Sequence, residues 1–484
     1  MNNSPQYSRR KFLTGITAAS AGIALSSCGI NADRSAKGIT AEAASIKPLI
    51  QPQELEKPDL TIGYVPVNDC APFAIAWKKG FFRKYGLNVR LNREASWATS
   101  RDGIIFGRLD ASPVVSGAVT NARIGAEGAR HAPLCAAMTI HRHGNAITMN
   151  RKMWDFGIRP WYEYKQKYGE RALEEFGKQF RAYFNSQSSE DRVWAVVLSS
   201  SIYEYFIRYL SAAAGVDPIK EFRIIIVPPP QMVSNVRIGA MQAYMVAEPW
   251  NTRAIYEKAA NGDEGIGFTF AQGKEIWLGH PDRLLGVMES FIENYPKTYR
   301  SLLKAMIEAC RYCGDPNNRS EVAKLLTERS FTGAKPKKGP VDKFTAPAIV
   351  GNYNYGGFDG QNRTISSDDG TIFFNIPDNV PHLPNENATF MWRSRSLWLM
   401  TQAARWGQIK EIPKDADKIA EKGWRTDIYR EVTKEMGIPT PDEDFKIESP
   451  EVFIDNKSFD PSDPVGYLKS FEIRANRPQN FLIS

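Results

Sequence analysis

The sequence predicts an α/β fold with two lobes, extended at its C-terminus by helices. Short apolar runs alternate with helix-like patterns over residues 60–115, and the alternation returns over residues 192–246. A strand–helix–strand rhythm predicts a parallel sheet with helices on both faces. Two such units predict two lobes with a cleft between them, where open sheets usually bind ligands.

The first unit has three predicted strands, at residues 60–65, 88–91 and 113–115, because each is a short apolar or β-branched run. A helix follows Asn68 and Asp69, whose side chains suit helix capping, and Pro72 suits its first turn. A second helix is predicted from about Thr99 to near Gly107.

The second unit has predicted strands at 192–198, 222–227 and 243–246, with helices between them and a charged helical stretch over 161–184. In the last third, the patterns at 296–311, 321–328, 390–406 and 419–436 predict helices. Residues 332–374 are rich in Gly, Asn, Asp and Thr, which predicts a long surface excursion.

The N-terminus has the form of an export signal. Arg9 and Arg10 precede a Gly/Ala/Ser-diluted apolar run at residues 12–27, and Cys28 follows it. The run is shorter than the roughly twenty residues of a membrane-spanning helix. Cys28 after Leu-Ser-Ser matches a bacterial lipoprotein processing site, which predicts lipidation there. The alternative is a plain exported protein with a chance cysteine.

These features predict the following organisation. Residues 1–28 are a twin-arginine and lipoprotein signal, 29–58 a flexible spacer poor in apolar residues, 59–140 with 251–300 one lobe, 141–250 the other, and 301–484 C-terminal helices packing on the lobes. The predicted location is the periplasmic side of the cytoplasmic membrane, with a lipid anchor.

Charge and cysteine content exclude several classes of protein. The net charge of +8 is spread along 484 residues rather than massed on one face, so no nucleic-acid binding is predicted. Cys310 and Cys313 form a C-x-x-C pair late in a helical pattern, whereas redox pairs usually open a helix. The five histidines are scattered along the chain, which predicts no metal cluster. We predict no cofactor, no metal and no catalytic residue.

The most suggestive local site surrounds Trp97. Thr99 and Asp102 have the spacing of a capping box, which places a helix N-terminus beside the indole. Free N–H groups at that terminus favour a small anion. A core tryptophan next to an ordinary cap is the alternative. Residues 199–203, with three serines and Tyr203, are a weaker parallel case.

Two further segments have open interpretations. Glu248 follows a predicted strand, so it either faces the cleft or pairs with Arg or Lys across a hinge. Residues 141–145, His-Arg-His-Gly-Asn, are either a surface turn or a cleft-lining loop. No P-loop, G-x-S-x-G or H-E-x-x-H motif occurs, so no enzyme class is indicated.

Several long motifs resemble those of cyanobacterial nitrate- and bicarbonate-binding lipoproteins, the solute-binding components of ABC importers. They include residues 227–236 (VPPPQMVSNV), 246–250 (VAEPW) and 95–102 (ASWATSRD), and the resemblance covers nearly the whole chain after the spacer. It implies a two-lobed, type II-like periplasmic-binding-protein fold clamped by C-terminal helices.

The resemblance also implies site residues. Trp97 and Glu248 match pocket positions of the nitrate binders, whereas an expected glutamine, histidine and lysine correspond here to Asn145, Tyr203 and Leu278. Loss of the lysine removes a charged hydrogen bond worth about 1.5–3 kcal/mol. The bicarbonate relatives bind calcium beside the anion, and Leu278 adds no acid for such a site.

The predicted function is a membrane-anchored receptor that captures a small oxyanion, nitrate or nitrite first, and passes it to an ABC permease with its ATPase. The predicted ligand-binding residues are Trp97, Thr99, Asn145, Tyr203 and Glu248. The alternatives are a binding protein for bicarbonate, cyanate, urea, a sulfonate or a pyrimidine, an enzyme on the same fold, or a ligand sensor that contacts a regulatory domain.

Overall fold

The computed structural model of the chain describes residues 40–259, 262, 265–333, 343–367, 371–375 and 387–475. The predicted signal, with Cys28, and the first part of the spacer lie outside these ranges. Among the helices of the described ranges, none combines the length and the apolar character that spanning a bilayer requires.

The helices and strands of the described residues are numbered here in chain order. The helices are α1 (Ala41–Ser45), α2 (Ala71–Lys78), α3 (Phe81–Lys84), α4 (Trp97–Ile105), α5 (Ala118–Ile124), α6 (Arg151–Asp155), α7 (Trp161–Tyr168), α8 (Ala172–Ser186), α9 (Ile202–Ala213), α10 (Pro229–Arg237), α11 (Trp250–Tyr256), α12 (Gly273–Ile276), α13 (Glu289–Asn294), α14 (Pro296–Gly314), α15 (Arg319–Leu326), α16 (Ala346–Val350), α17 (Arg393–Arg405), α18 (Ala416–Gly423), α19 (Thr426–Glu435) and α20 (Pro464–Lys469). The strands are β1 (Asp59–Tyr64), β2 (Asn88–Arg93), β3 (Ser112–Val115), β4 (Leu134–Cys135), β5 (Thr139–His143), β6 (Asn145–Asn150), β7 (Val193–Val196), β8 (Arg223–Ile226), β9 (Ala243–Ala247), β10 (Gly267–Gln272), β11 (Pro281–Met288), β12 (Asn352–Asn354), β13 (Thr364–Ser366) and β14 (Ile372–Phe373).

The first sheet has the order β14-β5-β11-β3, with β4 also paired to β11. Strands β1 and β2 pair in parallel, and Ile62 of β1 bridges in parallel to Ala111 just before β3. The parallel arrangement predicted for these three strands is therefore confirmed, but the sheet that contains β3 is mixed. Strand β11 returns from much later in the chain and pairs antiparallel with β3 and β5.

The second sheet has the order β10-β6-β9-β7-β8. Strands β7, β8 and β9 pair in parallel, whereas β6 is antiparallel to both β9 and β10. Strand β10 lies in residues 251–300, which were predicted to join residues 59–140 in one lobe, but it belongs to the second sheet. The end of β5 lies in residues 141–250, predicted for the other lobe, but it belongs to the first sheet. The chain crosses between sheets before and after these strands, and the partition into lobes remains a prediction.

The region predicted as a surface excursion is partly buried. Tyr353, Tyr355 and Phe373 are each no more than 3% exposed, and β14 pairs with β5 at the edge of the first sheet. The prediction was therefore wrong for the parts around Tyr353 and Phe373, whereas β13 is exposed as expected of a surface segment. Aromatic side chains in a Gly- and Asn-rich stretch account for the buried parts.

The C-terminal extension packs on the body through stacked aromatic rings. The Trp277 ring centroid lies 4.6 Å from that of Trp398 on α17 and 5.1 Å from that of Phe453. Tyr209 of α9 donates a hydrogen bond to Asp455 at 2.7 Å. These contacts are long-range in sequence, so the extension is part of one continuous core with the second sheet.

Candidate functional site

The chain passes from the first sheet to the second directly, where β5 continues into β6. His143 and Gly144 join them with φ of +62° and +83°, and the Gly279 N–H donates to His143 Nε2 at 2.6 Å. Residues 141–145 were expected in a surface turn or a cleft-lining loop. The surface turn was wrong, because all five residues are buried in β5, in β6 and in the junction between them. A position lining the cleft stays a prediction.

Several polar side chains meet between the two sheets, and we call them the buried polar cluster. Asn68 and Asp69 lie in a short 3₁₀ turn after β1, Trp97 is the first residue of α4, and Tyr203 lies in the first turn of α9. Its other members lie on strands of the first sheet: His141, Asp282, Arg283. Every member is at most 2% exposed.

Arg283 connects most of this cluster. Its Nε lies 2.7 Å from Asp69 Oδ2 and its Nη1 lies 2.9 Å from Asp282 Oδ1. Its Nη2 donates to the Tyr203 hydroxyl at 2.8 Å, and that hydroxyl donates to Asp282 Oδ2 at 3.1 Å. Burial raises the pKa of the Asp282 carboxyl, while the positive charge of Arg283 opposes the rise. A buried guanidinium requires such partners, since an unpaired buried charge is strongly destabilising.

The guanidinium also lies against an aromatic face. Its Cζ is 4.0 Å from the Trp97 ring centroid and 5.3 Å from that of Tyr203. Tyr203 lies on a helix that packs against the second sheet, whereas Arg283 is on the first sheet. The cluster therefore joins side chains from both sheets.

Several polar atoms of the cluster have no hydrogen-bond partner among the described residues. They are Trp97 Nε1, Asn68 Oδ1, both carboxylate oxygens of Asp69, Asp282 Oδ1, Arg283 Nε and both ring nitrogens of His141; Asp69 Oδ2, Asp282 Oδ1 and Arg283 Nε nevertheless lie at ion-pair distances. His141 Nε2 is 3.7 Å from Asp69 Oδ2 and 3.9 Å from Asp282 Oδ2, beyond direct hydrogen-bond distance. Because buried polar groups are nearly always paired, this concentration marks the cluster as a candidate binding site.

Asp69, His141 and Asp282 are also close enough to hold a metal ion. Antiparallel pairing of β5 and β11 brings His141, the one histidine of this group, beside Asp282. The set does not fit calcium, which takes six to eight oxygen ligands. Arg283 already contacts both carboxylates and supplies the positive charge that a cation would bring.

Thr99 lies away from the cluster. Its side chain is exposed, and its N–H donates to Ser96 Oγ at 3.1 Å while its Oγ1 accepts from the Ser96 N–H at 3.1 Å. The predicted capping box of Thr99 with Asp102 was therefore wrong by one turn. Ser96 is the N-cap because it precedes the first helical residue in extended conformation.

Asn145 contacts the cluster's surroundings rather than its centre. Its Nδ2 donates to His280 Nε2 at 3.0 Å, and His280 Nδ1 donates to the Trp277 carbonyl at 2.8 Å. Burial lowers the pKa of His280 to about 3, so the ring is neutral with its proton on Nδ1. Leu278 packs against the main core and against Phe373.

Glu248 has partners on both carboxylate oxygens. Its Oε2 accepts from the Thr252 N–H at 3.1 Å and from Thr252 Oγ1 at 2.8 Å, and its Oε1 accepts from the Tyr353 hydroxyl at 2.7 Å. Burial raises the pKa of Glu248. Of the two interpretations, pairing with Arg or Lys was wrong, since hydroxyl and amide donors among the described residues satisfy the carboxylate. The ligand-facing role stays a prediction.

The predicted ligand-binding residues thus separate into two groups. Trp97 and Tyr203 lie in the cluster, whereas Thr99, Asn145 and Glu248 have other partners. His141 lies in the segment that was predicted to be either a surface turn or a cleft-lining loop, whereas a site role for Asp69, Asp282 and Arg283 was missed. A signal for the last two was the Asp282-Arg283 pair in a largely apolar run over residues 276–288. Charged residues in a buried strand are rare unless they are paired.

The geometry can now be compared with known proteins. A model of the NMT1-like family matches residues 53–327, more than half of the chain. The chain belongs to the NMT1-like family. Its match begins before β1 and ends at the end of α15, so it includes the whole second sheet, the first sheet except β14, and every member of the buried polar cluster.

Relatives also match: one over nearly the full length of both chains, and one that is longer than this chain. The chain is 28% identical to the bicarbonate-binding protein CmpA of Synechococcus elongatus, covering 98% of this chain and 100% of CmpA. It is 32% identical over 420 residues to the nitrate import ATP-binding protein NrtC of Synechocystis. That match covers 87% of this chain but 56% of NrtC, so the chain spans about half the length of this relative.

A solved structure shares the fold. The crystal structure of the periplasmic nitrate-binding protein NrtA from Synechocystis superposes with a TM-score of 0.71 at 26% identity, covering 87% of this chain and 100% of that one. The predicted periplasmic-binding-protein fold is confirmed. The stretch beyond residue 327 that the family model leaves unmatched includes the extension that packs on Trp277.

Proposed function

We propose that this chain is the solute-binding component of an ABC importer and that it captures one small polar solute at the buried polar cluster. The observation that carries the proposal is the Tyr203–Arg283–Asp69 connection, which joins groups from both sheets. The relatives named for nitrate and bicarbonate suggest a solute of that size. No catalytic step is part of the proposal.

Release of a buried solute requires the two sheets to separate. Besides the Tyr203–Arg283 bond, the Ile202 N–H donates to the Ser116 carbonyl at 3.2 Å, and Asn121 donates to the Ser200 carbonyl. These contacts join the α9 N-terminus to the turn after β3 and to helix α5. We expect them to break on opening, as in hinge closure around ligands.

The capture proposal is tested by calorimetry. The full chain is titrated with nitrate, nitrite, bicarbonate, cyanate and urea, and we expect heat with at least one of them. Trp97→Phe keeps an aromatic ring but removes the indole N–H, and it should lower the affinity for the bound solute roughly tenfold. Trp161→Phe, in the core away from the cluster, is the matched control and should bind normally. No heat with any solute would contradict the proposal.

We propose further that the chain is exported by its twin-arginine signal and anchored through a lipid on Cys28. In that position it would pass its solute to a permease driven by an ATPase subunit. Cys28→Ser should shift the protein from the membrane fraction to the soluble periplasmic fraction. An unchanged distribution of the variant would contradict the anchor and leave solute capture untouched.

A second candidate is a sensor whose loaded form contacts a regulatory domain. The specific observation in its favour is that this chain is 32% identical, over 420 residues, to part of a protein named as an ATP-binding protein. This chain has no P-loop motif, so the matched part does not include that nucleotide-binding motif. Co-purification of the full chain with the ATPase subunit, with and without solute, separates the two. A solute-dependent complex that forms without the permease favours the sensor.

A further inference from the structure

We infer that the solute donates hydrogen bonds and has no net negative charge, as a small planar amide such as urea does, and that nitrate is disfavoured. The inference rests on the proposed function, because it assumes that a solute occupies the buried polar cluster. It follows from which atoms of the cluster lack partners and from the charges around Arg283.

Asn68 and Asp69 each have a side-chain oxygen without a partner among the described residues, and these oxygens are hydrogen-bond acceptors. Asn68 Nδ2 donates to the Thr345 carbonyl at 2.9 Å, which fixes the amide orientation and makes Oδ1 the atom that lacks a partner. Asp69 Oδ1, on the next residue, also lacks a partner among the described residues, while its Oδ2 contacts Arg283. An ionised carboxylate accepts and cannot donate. A matching solute must therefore bring hydrogens to these oxygens.

The local charge also disfavours an anion. Arg283 is the one guanidinium in the cluster, and both Asp69 and Asp282 lie within 3 Å of its nitrogens. With both carboxylates ionised and His141 neutral, the cluster carries one net negative charge. Nitrate would add a second negative charge and three oxygen acceptors beside Asp69, and like charges at short range in a buried site repel strongly.

The cluster also offers a donor for the carbonyl oxygen of such a solute. Trp97 Nε1 lacks a partner in the described part of the chain and is at most 2% exposed. An indole N–H donates only, so it suits a carbonyl oxygen. The guanidinium of Arg283, a planar group of similar size, already lies 4.0 Å from the Trp97 ring centroid. A planar amide has the same shape and carries both a carbonyl and N–H groups.

The test uses three planar solutes of four heavy atoms each that differ in hydrogen and charge. Nitrate has no hydrogen, bicarbonate has one O–H, and urea has four N–H bonds and no charge. The full chain is titrated with each by calorimetry at one pH and ionic strength. We expect urea to bind most tightly and nitrate most weakly, by a factor of roughly ten or more.

Asp69→Asn tests the assignment to this cluster. The variant removes one negative charge and turns one acceptor into a donor. The affinity for urea should therefore fall roughly tenfold, while the affinity for nitrate should rise. Asp417→Asn makes the same chemical change on the exposed face of α18 and should alter neither affinity. If Asp69→Asn does not fold, the ranking of the three solutes on the unmodified chain decides.

The outcomes separate the two proposals. Nitrate binding more tightly than urea to the unmodified chain overturns the inference and leaves solute capture standing. The absence of binding by any of the three, and by nitrite and cyanate, overturns solute capture and the inference with it. Tighter urea binding that Asp69→Asn leaves unchanged also overturns the inference, because the donor preference then arises elsewhere.

Discussion

The guanidinium of Arg283 lies on the face of the Trp97 indole, with 4.0 Å between its Cζ and the ring centroid. The same guanidinium contacts two buried carboxylates and a buried tyrosine hydroxyl. One side chain of the first sheet thereby organises the polar groups between both sheets. The stability of this region should depend on it strongly.

Arg283→Leu should lower the free energy of unfolding by about 3–5 kcal/mol, because it leaves Asp69 and Asp282 buried without their cation. Denaturation by guanidinium chloride, followed by circular dichroism, measures the change. Arg300→Leu is the matched control, since Arg300 pairs with Glu431 on the exposed surface. That variant should change the free energy by no more than about 1 kcal/mol. Equal effects of the two would contradict a structural role for the buried pair.

His280 should make stability fall as the pH is lowered. Burial lowers its folded-state pKa to about 3, whereas the unfolded value is near 6.5. Between these values the unfolded state binds a proton that the folded state does not, so the free energy of unfolding decreases as the pH falls from about 6.5 towards 3. His280→Gln, which keeps an acceptor for Asn145, should flatten that part of the profile. His131→Gln, at an exposed histidine, should leave the profile unchanged.

Glu275 should have the opposite effect. Burial raises its pKa from 4.5 to about 7, although the Gln272 N–H and the Tyr355 hydroxyl both donate to its carboxylate. The unfolded state releases its proton first, so stability is lost as the pH rises from about 4.5 to 7. Glu275→Gln keeps an acceptor and should remove this loss in a thermal-unfolding series. Glu293→Gln, on the surface of α13, should retain the wild-type slope.

The contrast between local and long-range features explains which parts were predictable. The strands at 60–65 and 243–246 are short apolar runs whose pattern depends on neighbouring residues, and both are confirmed. The buried position of Arg283 was not predictable in the same way, because its partners Asp69 and Tyr203 lie far away in sequence. Only the pairing of β11 with β3 and β5 reveals them.

The site shows the same division. Trp97 stood out because an indole beside a helix start is recognisable locally, although the cap proved to be Ser96. Glu248 also stood out from its neighbouring residues, but its oxygens accept hydrogen bonds from Thr252 and from Tyr353, which lies 105 residues away. A donor from a distant segment cannot be inferred from the strand that carries the acceptor.

The C-terminal extension should stabilise the body through Phe453. Its ring stacks on Trp277 at 5.1 Å between centroids and is 3% exposed. Phe453→Ala should lower the free energy of unfolding by about 3–5 kcal/mol, as expected for a buried phenylalanine. Phe106→Ala, at a side chain that is 66% exposed, should change it by about 0.5 kcal/mol or less. Similar effects would indicate that the extension packs loosely on Trp277.

Gly144 should tolerate no side chain, because both its backbone and its surroundings exclude one. Its φ is +83°, and an added Cβ would lie 2.6 Å from Ile372 Cγ1 of β14. Gly239 has a similar φ of +77° but no heavy atom within 4 Å of the added Cβ. Gly239→Ala should therefore cost about 1 kcal/mol from the left-handed backbone alone. Gly144→Ala should cost about 1–3 kcal/mol more from the clash.

A double-mutant cycle assigns that excess to Ile372. Adding Ile372→Ala to Gly144→Ala should recover part of the lost free energy, whereas adding it to Gly239→Ala should only add its own cost. Thermal and chemical unfolding of the three single variants, the two double variants and the unmodified chain measure the coupling. Additive effects of Gly144→Ala and Ile372→Ala would contradict close packing of β14 on the junction between the two sheets. The junction would then be free to change its angle without moving β14.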